Sequence, residues 1–219
     1  MGANNELTEE TTETAQSIQG IAPVISNSQK IGLLVGIGVL LFHCLRLFGF
    51  VHDDAFITYR YSYNLLHGMG PVFNPEEHTE GFSSPLYMIL TAIQMLVSGD
   101  VLIKAKLLGI VFAGLSLWYI WQLALYLKLP SWIVQSAPVL LAFNSSISMS
   151  AMDGMETSYQ MMLITAAAYH FARFLDGNTW KSSAILLAAV ALNRSEGILY
   201  CFAAVGVARA KPGLLELKK

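Results

Sequence analysis

The sequence predicts an all-α fold: a polytopic bundle of membrane-spanning helices, with an amphipathic loop outside the membrane after the first span. Three observations lead there. Apolar residues make up 54% of the 219 residues and charged residues 13%, about half the charged share of a soluble globular chain. The mean hydropathy is +0.52. The apolar residues also fall in runs separated by short polar segments, several of them near the roughly 20 residues that cross a bilayer.

Residues 1–29 are polar and acidic, with Glu6, Glu9, Glu10 and Glu13 among Thr, Ser, Asn and Gln. They lack the apolar surface needed to fold alone and read as a disordered cytoplasmic tail. Gly2 suggests myristoylation, but Glu6 stands where Ser or Thr is required. No basic leader precedes the first apolar run, which is also too long for a signal peptide. That run, 31–50, reads as the first span of a transmembrane module covering 30–210. Residues 211–219 form a short C-terminal tail.

The polar stretch 51–86 follows. Asp53 and Asp54 open an amphipathic helix over 54–67, which Gly68 and Gly70 end, and Pro71 and Pro75 hold the next segment extended. Its interleaved aromatics suit a membrane interface. The apolar run 85–98 has 14 residues, a length that fits an interfacial or re-entrant helix as well as a span. Longer runs cover 101–127, 131–147 and about 158–173, and the last, 182–208, is interrupted by Asn193-Arg194-Ser195-Glu196-Gly197. If 85–98 only dips into the membrane, Lys128, Arg173, Lys181, Arg209 and Lys211 gather on the side of the tail. The 51–86 loop, the 148–157 patch and Arg194 then gather on the other. This arrangement satisfies the positive-inside tendency but strands Lys104 and Lys106 on the outer side.

Each polar group has a plain reading beside a chemical one. Asp53-Asp54 can cap a helix N-terminus, yet one cap uses one carboxylate. A carboxylate here can also take the proton of an attacking hydroxyl, and the other can hold a divalent cation. Asp153-Gly-Met-Glu156 and Asn193-Arg-Ser-Glu196 both have the form of a capping box opening a helix. The second implies two helical pieces with a break at Asn193. On one straight span Arg194 would sit near the bilayer centre, at a cost of about 2.5–3.5 kcal/mol. At a break opening to a wet cavity it suits a phosphate, which a guanidinium grips bidentately. The plain reading of Arg194 is an ion pair with Glu156 or Glu196. The histidines lack metal-ligand spacing, and Cys44 and Cys201 fall in apolar runs as packing residues. No basic tract points to nucleic acid.

The segments DDAFITYRY (53–61), NLLHGMGPVFNP (64–75) and EGFSSPL (80–86) resemble the pattern DDAFITxRYaxNLaxGxGxVFNPGExxEGyssPLW. That pattern occurs near the N-terminus of bacterial GT-C-type membrane glycosyltransferases similar to the terminal arabinofuranosyltransferases of mycobacterial cell walls. Gly154-Met-Glu156-Thr and Asn193-Arg194-Ser-Glu-Gly197 are similar to two later segments of that group, in the same order, so that the resemblance spans about 51–200. Two departures are Glu77 at the Pro-Gly turn, where the group has Gly, and Ser195 in place of Pro.

The resemblance implies transfer of a sugar from a polyprenyl-phosphate donor to a hydroxyl of a glycan or lipid acceptor, on the outer face of a bacterial inner membrane, in building the cell envelope. It implies Asp53 or Asp54 as general base, with Asp54 the position for a divalent cation, Mg²⁺ or Mn²⁺. It puts Arg194 on the donor phosphate and Arg60, Glu80, Asp153 and Glu156 around the substrate cavity. Chains of that group are longer, so this chain is expected to correspond to the N-terminal portion of one. The competing readings are a non-catalytic membrane subunit or truncated module that binds a polyprenyl-phosphate lipid, and a transporter half. The transporter would require inverted repeats, and the sequence shows no internal repeat.

Overall fold

The computed structural model describes residues 27–77 and 79–210; the N-terminal tail up to residue 26, His78 and the C-terminal segment 211–219 lie outside the described residues. Among the described residues the fold is all-helical, with no strand. Nine α-helices follow one another: α1 (Asn27–Arg46), α2 (Ala55–Leu66), α3 (Pro85–Met95), α4 (Val101–Tyr126), α5 (Ser131–Phe143), α6 (Ser145–Met152), α7 (Thr157–Leu175), α8 (Trp180–Asn193) and α9 (Ile198–Ala210). A single 3₁₀ turn, Ser195–Gly197, joins α8 to α9. The first helix thus begins at Asn27, four residues before the apolar run and inside the segment read as tail.

Two helices, α1 and α4, are long and apolar enough to cross a membrane. Only 22% of the apolar window of α1 and 33% of that of α4 is buried, so neither is the enclosed core helix of a soluble protein. Leu34, Leu45, Trp132, Leu140, Ile185 and Phe202 are each at least 65% exposed. Apolar surface on this scale, spread around the bundle, needs a partner other than water.

Close packing sets the directions of the helices. Gly32 and Gly36 of α1 lie against the backbone of Gln135 and Pro138 of α5, where a Cβ would come within 2.5 Å and 3.0 Å. The order of these contacts makes α1 and α5 parallel. The indole of Trp121 on α4 donates to Gln29 O at the start of α1, and Lys106 near the start of α4 donates to Phe48 O just past the end of α1. Hence α4 runs antiparallel to α1. Helix α7 runs parallel to α4, since Phe112 meets Tyr159 and, at the other end, the Tyr126 hydroxyl donates to Asp176. Helix α8 returns antiparallel to α7, with Val190 and Asn193 against Gln160.

The bundle therefore has two distinct ends. At one end stand the end of α1, the start of α4, the start of α7 and the break between α8 and α9. The other holds the start of α1, the α4–α5 turn with Lys128, and the α7–α8 turn near Arg173 and Lys181. Because α1 ends where α4 begins, the segment between them, including α3, starts and finishes at the same end. Helix α3 does not carry the chain across. Its 11 residues extend only about 16 Å.

Lys104 and Lys106, awkward for this arrangement in the sequence, have specific work here. Lys104 Nζ donates to Gln94 O (2.8 Å) and Val97 O at the end of α3. Lys106, only 4% exposed, donates to Phe48 O and lies over the Phe48 ring. Both ammonium groups satisfy carbonyls that a helix end leaves without partners, where the helix dipole favours a cation.

Candidate functional site

The site is built from the segment after α1, the turn between α6 and α7, and the break between α8 and α9. The 51–54 turn is tied to the second of these by backbone: His52 N–H donates to Asp153 O at 3.1 Å. Asp53 and Asp54 are both exposed. Asp54 occupies the N-cap position of α2, yet its side chain caps nothing; its φ and ψ are already helical. The capping role expected for this pair is therefore not taken. Asp54 lies 3.6 Å from His52 Nδ1, and the Asp53 carboxylate makes no hydrogen bond or ion pair among the described residues.

Two tyrosines clamp the next segment. The hydroxyls of Tyr59 on α2 and Tyr87 on α3 both donate to Gly154 O, at 2.9 Å and 3.0 Å. Gly154 has φ +80°, and a Cβ there would stand 2.5 Å from the Tyr59 oxygen. Only glycine meets both demands without strain. Burial pushes the Tyr59 hydroxyl far above its ordinary pKa, with the nearby Asp153 adding to the effect. It therefore stays a protonated donor.

The 153–156 turn is not a capping box. Asp153 closes α6, and its Oδ1 accepts from Met155 N–H at 2.7 Å. Glu156 precedes α7 but makes no cap hydrogen bond. Instead its carboxylate, 2% exposed, takes Arg194 Nη1 at 3.2 Å, with Ser83 Oγ at 3.5 Å. Tertiary partners have won both side chains from the local backbone. Burial raises the Asp153 pKa to about 6, opposed by the Met155 N–H and increased by neighbouring Glu156.

The Asn193 segment is likewise held by tertiary contacts. Asn193, fully buried, donates to Gln160 Oε1 at 2.8 Å, while Gln160 Nε2 donates to Val190 O. This amide pair pins the end of α8 to α7, so the chain breaks there and Arg194 adopts an extended backbone. Arg194 Nε then lies 2.6 Å from Glu196 Oε1. The guanidinium, one-third exposed, thus pairs with a buried carboxylate on one side and a half-exposed one on the other. Both ion pairs of its plain reading are formed. A cleft of about 290 Å³ opens beside it, lined by Thr157, Gln160, Ile164, Arg194, Glu196 and Tyr200.

Arg60 and Glu80 stand apart from this group. Arg60 Nε donates to Phe73 O, and Glu80 is an exposed residue bordering a shallow cleft with Pro71, Val72, Thr79 and Phe82. Arg60 is on α2 and reaches the loop that folds back over that helix, and Glu80 belongs to the loop itself. That loop is held by Asn64 Nδ2, which donates to Val72 O and Phe73 O, and by the Tyr61 hydroxyl, which bridges Thr79 O and Gly81 N–H. The structure thus brings Asp53, Asp54, Asp153, Glu156 and Arg194 to one end of the bundle, and uses Arg60 to fasten the loop.

Among the described residues no three His, Cys, Asp or Glu side chains converge as metal ligands. The divalent cation expected at Asp54 finds no ligand set there and enters no step below. Sequence reasoning missed Tyr59, Tyr87, Ser83 and Gln160. Tyr59 reads in the sequence as one of the interfacial aromatics, and nothing local marks which hydroxyl will meet a carbonyl some 67 or 95 residues away.

Fold and site together describe an all-helical chain with two helices long enough to span a membrane, and an acid-rich end centred on one arginine. Comparisons with known protein families, with characterised proteins and with solved structures find no match.

Proposed function

We propose that this chain is a membrane-embedded glycosyltransferase of the GT-C type, transferring a sugar from a polyprenyl-phosphate donor to a hydroxyl acceptor at the outer face of the membrane. The observation that carries the reading is the gathering of Asp53, Asp54, Asp153, Glu156 and Arg194 at one end of the bundle. The resemblance of 53–86, 154–157 and 193–197 to that group, which includes four of these five residues, also supports it.

The chemistry follows from the side chains. Asp53, exposed and without a partner among the described residues, takes the proton of the acceptor hydroxyl, or Asp54 does so beside His52. The freed oxygen attacks the anomeric carbon as the bond from that carbon to the phosphate oxygen breaks. The electron pair leaves with the polyprenyl phosphate, and a single displacement inverts the anomeric centre. Arg194 stabilises the charge gathering on the leaving phosphate, a fixed cation needing little reorganisation because Glu156 holds it. Asp153 and Glu156 shape the cavity.

The basic residues Lys128, Arg173, Lys181 and Arg209 belong to the opposite end, which this reading makes cytoplasmic. Exposed apolar side chains on α1, α4, α5, α8 and α9 then face lipid, making the bundle polytopic. The test is transfer of a radiolabelled sugar from a panel of polyprenyl-phosphate sugars, in membranes containing this chain. Transfer is expected with at least one donor and lost in Asp53→Asn or Asp54→Asn. If neither variant lowers the rate, the paired acids are not the base. If the wild type inserts and transfers nothing, the lipid-binding, non-catalytic reading takes its place.

A further inference from the structure

We infer that Glu196 is a displaceable placeholder, its carboxylate filling the anion seat on Arg194 that the phosphodiester of a lipid-linked sugar takes when it binds. The inference rests on the proposed donor site and adds how that site is kept closed to other anions.

The two carboxylates on Arg194 are not equivalent. Glu156 is 2% exposed, is carried at the start of the 19-residue helix α7, and sits beneath a turn clamped by Tyr59 and Tyr87. It cannot leave Arg194 without stranding a buried carboxylate, which makes it the fixed counter-ion. Glu196 is 52% exposed, rides on a three-residue 3₁₀ turn, and meets Arg194 through Nε at 2.6 Å. It faces the cleft that Thr157, Gln160, Ile164 and Tyr200 line. A half-exposed carboxylate on such a turn is released at little cost, since ion pairs of this exposure contribute at most about 1 kcal/mol.

The exchange needs only a local swing of the Glu196 carboxylate, which stays tethered beside Arg194 and turns toward solvent. Glu156, Arg194 and Glu196 together carry one net negative charge when both acids are ionised. A phosphodiester monoanion in place of Glu196 keeps one anion on each side of the guanidinium, while the half-exposed Glu196 carboxylate is screened by water. A hydrogen bond from the backbone N–H of its own residue, with Arg194 beside it, holds Glu196 below the usual carboxylate range. The seat is thus filled by an anion at neutral pH whether or not a donor is present. A dianion in the same seat adds repulsion from Glu156, so the pair of acids disfavours more highly charged head groups.

From Ile164 and Tyr200 the cleft continues as an apolar groove between α7 and α9, past Ala167, Ala168, Phe171 and Val207. A ligand whose phosphate displaces Glu196 has a path for an attached hydrocarbon chain along this groove.

The experiment is equilibrium binding of farnesyl methyl phosphate, a phosphodiester monoanion with a short prenyl chain, to the whole chain in nanodiscs, with farnesol as the neutral control. Glu196→Gln empties the seat of charge while keeping its shape, and Glu196→Ala is the second variant. Both are expected to bind the diester about two- to fivefold more tightly than the wild type, the range an exposed ion pair supplies, with farnesol unaffected. Arg194→Gln is expected to reduce diester binding to the level of farnesol. If the wild type binds the diester better than farnesol but neither Glu196 variant gains affinity, the placeholder is overturned and the donor site stands. If the wild type and both variants bind diester no better than farnesol, the placeholder and the donor site fall together.

Discussion

Replacing Asp153 with Asn should stabilise the protein at neutral pH and lose that advantage in acid. Asp153 is 9% exposed, and burial raises its pKa from 3.8 to about 6. A carboxyl with a raised folded-state pKa binds its proton more tightly in the folded chain than in the unfolded one. Below about pH 4 both states are protonated and the full benefit is present. As pH rises through 6 the folded state must ionise a buried group, and the benefit is gone. The shift of roughly 2 pH units corresponds to about 3 kcal/mol at most. Asn keeps an oxygen for the Met155 N–H, and the raised pKa already includes that bond's preference for the carboxylate. The net gain expected for Asp153→Asn at pH 7.5 is about 2–3 kcal/mol, or about 4–12 °C in melting temperature for a chain of this size. At pH 4.5 most of the difference should vanish. The assay is thermal unfolding of both proteins in the same detergent at the two pH values. A variant no more stable at pH 7.5 than at 4.5, relative to wild type, would refute the buried, protonation-sensitive carboxyl.

Two other substitutions probe how the site is held. Gly154→Ala adds a Cβ at φ +80° and 2.5 Å from the Tyr59 oxygen, so it should cost about 2–4 kcal/mol from backbone strain and a displaced hydroxyl; an unchanged melting temperature would contradict the clamp. Tyr61→Phe removes the hydroxyl that bridges Thr79 O and Gly81 N–H. Cleavage within 71–82 by an added protease should quicken while global unfolding changes little, and equal cleavage rates would show that the loop is fastened elsewhere.

What the sequence made legible was what local chemistry decides. The helix expected over 54–67 is observed at Ala55–Leu66, and the break expected at Asn193 is where α8 ends. In both places glycine or a polar run interrupts apolar periodicity. The side-chain roles were harder. Asp153 and Glu156 have capping-box spacing, yet one binds the N–H two residues on and the other binds Arg194. A capping motif describes what a helix start will accept, and the guanidinium of Arg194 offers Glu156 more. Lys104 and Lys106 looked misplaced because their partners, carbonyls at the ends of α3 and α1, are invisible until those helices are packed. Arg60, which the resemblance implies at the substrate cavity, also has a partner that spacing does not reveal, the Phe73 carbonyl.

The acids and Arg194 share one end of the bundle, with α3 entering and leaving on that side, and the proposed function turns that end outward. Single cysteines at Glu76, Ser98, Ser195, Ser131 and Asn178, in a background with Cys44 and Cys201 replaced by Ala, test it directly. Each variant is treated in intact spheroplasts with a membrane-impermeant maleimide. Residues 76, 98 and 195 should label without lysis, and 131 and 178 only after it. Labelling of 76 and 98 from opposite sides would mean that α3 crosses the membrane, and the shared outward site would be contradicted.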